Sequence, residues 1–262
     1  MGNIIGKVHS IESFALADGP GARCAVFLKG CRMRCQYCHN PDTWSMEGGK
    51  DWTVEDLVKK VLRFRPYWKN GGGITVSGGE ALLQMEFVTE FFRALKKEDV
   101  HTALDTSGNP FQMEESYLER FDSLMEVTDL FILDLKEMDE EKHKKLTGQS
   151  NQNILDLAKY LSDHEKHMWI RHVLVPGVTD GEKELHDLKN FIDSLKTVDR
   201  VEVLPYHTMG VFKWENLGIP YQLEGIDPPT AEQVQHAEEI LGITTSIVIE
   251  DKNPDTRPCH QC

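Results

Sequence analysis

No run of about eighteen apolar residues occurs in the 262-residue chain, so no membrane-spanning helix is expected. The amino terminus lacks the basic-then-apolar order of a secretory signal, and Gly6 stands where a myristoylation signal begun by Met1-Gly2-Asn3 needs Ser or Thr. Positive charge is scarce: 29 Lys and Arg oppose 43 Asp and Glu, for a net charge of −14 that opposes binding to a polyphosphate backbone. Nucleic acid and membrane are therefore not expected as partners, and a cytoplasmic location is. Cysteine is sparse, with six residues, and in a reducing compartment these point to metal rather than to disulfides. Linkers and low-complexity segments are missing until the end of the chain. We expect one domain over 1–250 and a polar, Pro-containing tail over 251–262.

Half of the six thiols fall within eight residues. The stretch Gly30-Cys31-Arg32-Met33-Arg34-Cys35-Gln36-Tyr37-Cys38-His39-Asn40 spaces them as C-x3-C-x2-C. They can face one point only if the chain loops around it, and Gly30 gives the freedom to begin such a loop. Three thiolates on a four-iron cubane leave one iron without a protein ligand, open to a substrate. Two other readings stay open at this point: a Cys3His zinc site of Cys31, Cys35, Cys38 and His39, and thiols that are simply small buried hydrophobes. Adjacent ligands at Cys38 and His39 make one tetrahedral centre awkward.

Along the chain, residues 3–14 alternate like a strand until Asp18-Gly19-Pro20-Gly21 interrupts them with a turn-forming run. Cys24 to Leu28 reads as a short buried strand that delivers the chain into the cysteine loop. Thr53-Val54-Glu55-Asp56 resembles a capping box opening a helix through about Tyr67, ended by Gly71-Gly72-Gly73. One unit then repeats: a short β-branched strand, a loop, an amphipathic helix. The strands are Ile74 to Val76, Val100 to Leu104, Leu130 to Leu133, Met168 to Val175 and Val201 to Leu204; the helices lie near 84–97, 114–125, 138–146, 151–163, 181–196 and 230–241. Thr245 to Glu250 reads as an edge strand. Counted from residue 24 this gives six strand-helix units with parallel strands, an α/β fold that suits an open, partial (β/α)6 barrel of three-quarter size. Its strand-end loops share one face, bringing together the cysteine loop, Ser77-Gly78-Gly79-Glu80, Asp105, Asp134, Lys136 and His207.

Several of these loops carry chemistry. Gly78-Gly79-Glu80 offers backbone that a ligand can approach without a Cβ in the way, together with one carboxylate, which suits an amino acid. The alternative is an ordinary strand-to-helix turn. Asp134 and Lys136 follow an apolar run, and a period of two sends both side chains the same way; one can accept from a hydroxyl or ammonium while the other offsets a carboxylate. A helix-capping Asp and a solvated Lys are the plain alternative. Asp105 and Thr106 are hard oxygen donors for a substrate or a monovalent cation, or members of a simple turn. His207, after Leu204-Pro205-Tyr206, is either a ligand or a surface residue.

The cysteine spacing, with an aromatic residue before the last thiol, resembles the signature of radical S-adenosylmethionine (SAM) enzymes. The likeness extends further. Asp18-Gly19-Pro20-Gly21-Ala22-Arg23, Cys38 through Trp44, Ser77 through Glu80, Leu104-Asp105-Thr106, Leu133 through Lys136, Trp169-Ile170-Arg171, Val175-Pro176-Gly177 and Leu204 through His207 together resemble the pyruvate formate-lyase activating enzymes, over about residues 3 to 250. The resemblance implies that Cys31, Cys35 and Cys38 bind a 4Fe-4S cluster. It implies SAM contacts from Tyr37, Cys38, His39, Gly79, the segment Asp134, Leu135, Lys136, and His207. It implies a monovalent cation held by Asp105, Thr106 and Asp134, and a glycine loop of the partner held by Asp18, His39 and Arg171.

In mechanism, the resemblance implies reductive cleavage of SAM to methionine and a 5'-deoxyadenosyl radical, which takes a Cα hydrogen from one glycine of pyruvate formate-lyase. An electron donor such as flavodoxin or ferredoxin and a monomeric state are implied with it. The ferredoxin-like insertion of other glycyl radical activating enzymes is missing here, since Gly48-Gly49 follows closely on Cys38. The activase of a different glycyl radical enzyme, a radical SAM enzyme acting on a small molecule, and a non-catalytic metal module remain the competing readings. Cys259-x2-Cys262 departs from the family pattern, with either a second metal or redox role or no use at all.

Overall fold

A computed structural model of the protein describes residues 4–243. Eight strands form one sheet: β1 (Ile5–Ala15), β2 (Arg23–Leu28), β3 (Lys50–Thr53), β4 (Gly73–Gly78), β5 (His101–Thr106), β6 (Leu130–Asp134), β7 (Met168–Leu174) and β8 (Val198–Pro205). Their order is β3-β1-β2-β4-β5-β6-β7-β8. Strand β1 pairs antiparallel with β2 and β3, while β2 and β4 to β8 run parallel. These six parallel strands are the six expected units, in a sheet whose end strands, β3 and β8, do not pair with each other.

The helices follow from apolar periodicity. Helix α1 (Val54–Leu62) buries Leu57 and Val61, and α2 (Met85–Lys96) buries Phe87, Val88, Phe91, Phe92 and Leu95 on one face. Cutting any one of these three phenylalanines to alanine in such a core costs about 3–5 kcal/mol. Helices α3 (Glu115–Met125), α4 (Glu140–Thr147), α5 (Gln152–Asp163) and α6 (Glu182–Asp193) lie in the crossovers between successive parallel strands; α7 (Val211–Asn216) and α8 (Ala231–Leu241) follow the last one. Caps mark their ends: Thr230 and Gln233 make a reciprocal capping box on α8, and Gly148 closes α4 in the left-handed conformation.

The differences from expectation are local. The Thr53 hydroxyl accepts from Asp56 N–H as expected, but α1 stops at Leu62 rather than near Tyr67, and the turn Arg65–Tyr67 follows, where Pro66 cannot donate to a helical ladder. The glycine run does not end that helix; Gly73 begins β4, where a Cβ would sit 2.1 Å from the His101 carbonyl oxygen. Strand β3 and helix α7 were not expected. The edge strand over Thr245 to Glu250, the tail, Cys259 and Cys262 lie outside the described residues.

Candidate functional site

The cysteine loop leaves β2 at Gly30, whose φ of +96° is easy only for glycine. Its N–H donates to Thr43 O at 2.7 Å and its carbonyl accepts from Glu80 N–H at 2.7 Å. Beyond it, the C-terminal end of α4 holds the loop from outside: Arg34 N–H donates to Thr147 O at 2.7 Å, and Gln36 N–H to Leu146 O at 3.0 Å. Helix α4 follows the Asp134 to Lys136 segment directly, so one stretch of chain shapes two walls of the site.

Those walls enclose a cavity of about 630 Å³ at the carboxyl ends of the parallel strands, within the range of cofactor pockets. Cys31, Cys35 and Cys38 all line it, none of them in a disulfide. Cys35 is buried, 9% exposed, and the other two are half-buried. Burial pushes the thiols of Cys31 and Cys35 up to about 12, helped for Cys31 by the carboxylate of Glu80. Cys38 moves up for the same first reason. Thiols gathered in so dry a place become thiolates only beside a strongly cationic group, and bound iron is such a group. Among the described residues, no three His, Cys, Asp or Glu side chains, the loop thiols included, form a set that could hold a single metal ion.

The glycines of this loop also have a packing role that their composition did not suggest. A Cβ on Gly79 would lie 2.2 Å from the Gly30 carbonyl oxygen, and one on Gly78 would lie 2.1 Å from Leu28 N. Both glycines let β4 and the cysteine loop touch backbone to backbone. Nor is Glu80 free to receive an amino acid. Only 1% exposed, its carboxylate accepts from Thr106 Oγ1 at 2.5 Å, Ser107 N at 2.9 Å, Ser107 Oγ at 2.5 Å and Leu82 N at 3.0 Å, tying the ends of β4 and β5 together. Glu80→Ala strands those donors, at about 3 kcal/mol, and is expected to lower the melting temperature by roughly 6–12 °C. A thermal melt within about 2 °C of the parent would refute this reading.

Across the cavity, Asp134 and Lys136 meet as the period-two argument required, Nζ to Oδ2 at 2.7 Å. Lys136 is far from solvated, its side chain 8% exposed. Burial pulls its pKa down, but Asp134, Tyr37 and Cys35 outweigh it and hold the amine cationic. The amine also stands 5.6 Å from the Tyr37 ring centre. Asp105 accepts from Ser77 Oγ at 2.6 Å and lies 3.9 Å from Arg171. Burial, with Asp134 nearby, pushes the Asp105 carboxyl up against the pull of Arg171.

The remaining expected residues are at the rim. His39 and His207 meet edge to face with centroids 4.5 Å apart. Burial, then His207 and Lys213, lowers the pKa of His39 and keeps its ring neutral near pH 7. The Asp18 carboxyl is pushed up by burial. Arg171 is committed: its Nε donates to Glu202 at 2.9 Å and its Nη2 to Ala17 O, so it shapes the rim segment before Asp18. The cavity therefore gathers all the expected site residues except Leu135, which lies between two that line it. It also contains His9, Glu12, Trp44 and Lys213, which sequence reasoning passed over. Only Trp44, inside a quoted motif, had a signal that could have found it.

An open, mostly parallel sheet with a three-thiol loop lining the cavity at its carboxyl edge defines a class. The Radical SAM superfamily is matched over residues 25–188, and the cofactors of that superfamily are a 4Fe-4S cluster and SAM. The crystal structure of a radical SAM methyltransferase from Sphaerobacter thermophilus has the same fold, with a TM-score of 0.60 and 16% identity over 92% of this chain and 74% of that one. Sequence relatives are more specific. The pyruvate formate-lyase-activating enzyme of Streptococcus mutans is 52% identical over 92% of this chain and 93% of its own length, and the pyruvate formate-lyase 1-activating enzyme of Escherichia coli K12 is 48% identical over 91% and 96%. A domain of a pyruvate-formate lyase-activating enzyme from Bacteroides vulgatus aligns with a TM-score of 0.54 and 26% identity, over 65% of this chain and 93% of that one. The chain belongs to the pyruvate formate-lyase activating enzyme family of radical SAM proteins.

Proposed function

We propose that the chain activates pyruvate formate-lyase by installing a glycyl radical on it, with Cys31, Cys35 and Cys38 as the protein ligands of a 4Fe-4S cluster. One observation carries the reading: a single cavity is lined at once by the three thiols, by Gly79, by Asp134 with Lys136, and by His39 with His207. A cluster held by Cys31, Cys35 and Cys38, together with SAM, would supply the radical chemistry, namely reductive cleavage of the sulfonium coupled to removal of a glycine Cα hydrogen.

The protein's own part is to bind, orient and exclude water. Lys136 stays cationic in a dry site and offsets the methionyl carboxylate, while Asp134 accepts from the ammonium group or a ribose hydroxyl. Gly79 would meet the cofactor through its main chain, and Tyr37, His207 and the neutral His39 would hold it from the walls of the same cavity, whereas Leu135 already donates its N–H to Arg171 O and accepts from His172 at its carbonyl. Burial, with Asp134 nearby, raises the cost of ionising Asp105, and a monovalent cation held by Asp105, Thr106 and Asp134 would relieve it. Asp18, His39 and Arg171 frame the entrance for the partner's glycine loop, Arg171 acting through the Ala17 carbonyl. Residues 1–250 are one domain, which the main hydrophobic cluster supports by running from Val8 to Leu241. The enzyme is a cytoplasmic monomer reduced by a flavodoxin or ferredoxin; among the described residues no helix is long and apolar enough to cross a membrane.

The test is direct. Anaerobically reconstituted protein, reductant, SAM and pyruvate formate-lyase are mixed and examined by electron paramagnetic resonance. The glycyl radical doublet is expected; its absence while SAM is still cleaved would assign the chain to another substrate.

A further inference from the structure

Two tryptophans from distant parts of the chain hold the two ends of the cysteine loop. Cys31 N–H donates to the Trp44 carbonyl at 3.0 Å, and the Trp214 indole N–H donates to the Cys38 carbonyl at 2.9 Å. Their rings meet edge to face, centroids 5.1 Å apart at 86°. The Arg34 guanidinium stands 4.8 Å from the Trp44 ring centre. Trp214 is 2% exposed and belongs to α7.

Cys38 is thereby constrained from both sides. Its N–H donates to Cys35 O at 3.0 Å and its carbonyl is held by Trp214, so the flanking peptide planes are set and the thiol keeps little freedom beyond χ1. The α7 segment grips the following residues as well. Lys213 Nζ donates to Asn40 Oδ1 at 2.6 Å, and Gly210 approaches His39 so closely that a Cβ would lie 2.4 Å from its ring. Behind Trp214 lies a separate small core of Val175, Tyr206 and Leu223, against which Tyr37 also packs. Tyr221 joins it, 5.2 Å from the Trp214 ring, with its hydroxyl 2.8 Å from that of Tyr206.

We propose that Trp214 is a positioning residue for the cluster: by holding the Cys38 carbonyl it orients the third thiol and couples the α7 segment to cluster occupancy. The inference rests on the reading that Cys31, Cys35 and Cys38 bind the cluster. Groups that orient metal ligands typically contribute 10–100-fold in metal affinity. Coupling is reciprocal, so a bound cluster should steady α7 to the same degree that α7 holds the cluster.

The experiment compares wild type, Trp214→Phe and Tyr221→Phe after anaerobic reconstitution. Phenylalanine keeps an aromatic ring against Trp44 and Tyr221 but has no N–H for Cys38. Iron release to a chelator should be about tenfold faster in Trp214→Phe and unchanged in Tyr221→Phe, with the metal-free proteins melting alike. Iron retention at the wild-type rate in Trp214→Phe overturns the proposal, as does equal loss from Tyr221→Phe, which would mean general packing. Hydrogen exchange on wild type adds an arm that needs no variant: amides of residues 211–217 should slow on cluster loading, and no change refutes the coupling. If wild type takes up no iron, the cluster reading itself fails instead.

Discussion

Cys35→Ala protein is expected to fold, to retain no stable four-iron cluster after anaerobic reconstitution, and to cleave no SAM. Cys35 is the most buried of the three loop thiols, facing the cavity from between Met33 and Tyr37. Exchanging its sulfur for a hydrogen removes little volume and costs about 1 kcal/mol of packing, below the 2–5 kcal/mol of larger truncations. The loop's shape does not depend on the thiol: Arg34 N–H, Gln36 N–H and the Cys38 carbonyl keep their partners on α4 and α7. Structure and chemistry therefore separate cleanly. Circular dichroism melts should be nearly superimposable, while the brown absorbance and deoxyadenosine release disappear. Full iron content with ordinary SAM cleavage in this variant would remove the basis of the assignment.

Lys136→Ala should weaken SAM binding by at least about tenfold while leaving the cluster in place. Truncating one member of a buried, hydrogen-bonded charge pair typically costs 2–5 kcal/mol, and each 1.4 kcal/mol is a factor of ten in affinity. Here the figure falls toward the lower end, because Asp134 keeps 26% of its side chain exposed and water can partly replace the amine. The same loss of pairing destabilises the ligand-free protein by about 2 kcal/mol, so affinity must be measured apart from stability. The rise in melting temperature produced by saturating SAM isolates it, since that rise depends on the ratio of ligand concentration to dissociation constant. A variant with an unchanged dissociation constant by calorimetry would show that Lys136 serves only to neutralise Asp134.

Much of the architecture could be read from the chain because it is written in short-range periodicity. The buried runs of β2 and β4 to β7 and the shorter apolar run in β8, alternating with helices that carry apolar stripes, required parallel strands and hence one shared face for their loops. Strand β3 was missed because Lys50-Asp51-Trp52-Thr53 has no alternation; it forms because β1 offers it a free edge. Helix α7 was missed because six residues are too few to show a 3.6 period.

Within the site the division is similar. The C-x3-C-x2-C spacing and the pair Asp134 and Lys136 depend on neighbours two to four residues apart, so the chain alone placed three thiols in one loop, which lines the cavity, and a cation beside a carboxylate at a strand end. Tertiary structure decided the rest. It assigned Glu80 to Thr106 and Ser107 rather than to a ligand, brought the Gly30 carbonyl close against Gly79, committed Arg171 to Glu202 and Ala17, and set Trp214 against the Cys38 carbonyl. Those partners lie far apart in the chain. They meet only where sheet and helices pack, and a buried donor or carboxylate takes whichever partner that packing brings, because leaving it without one costs more than any local preference can return.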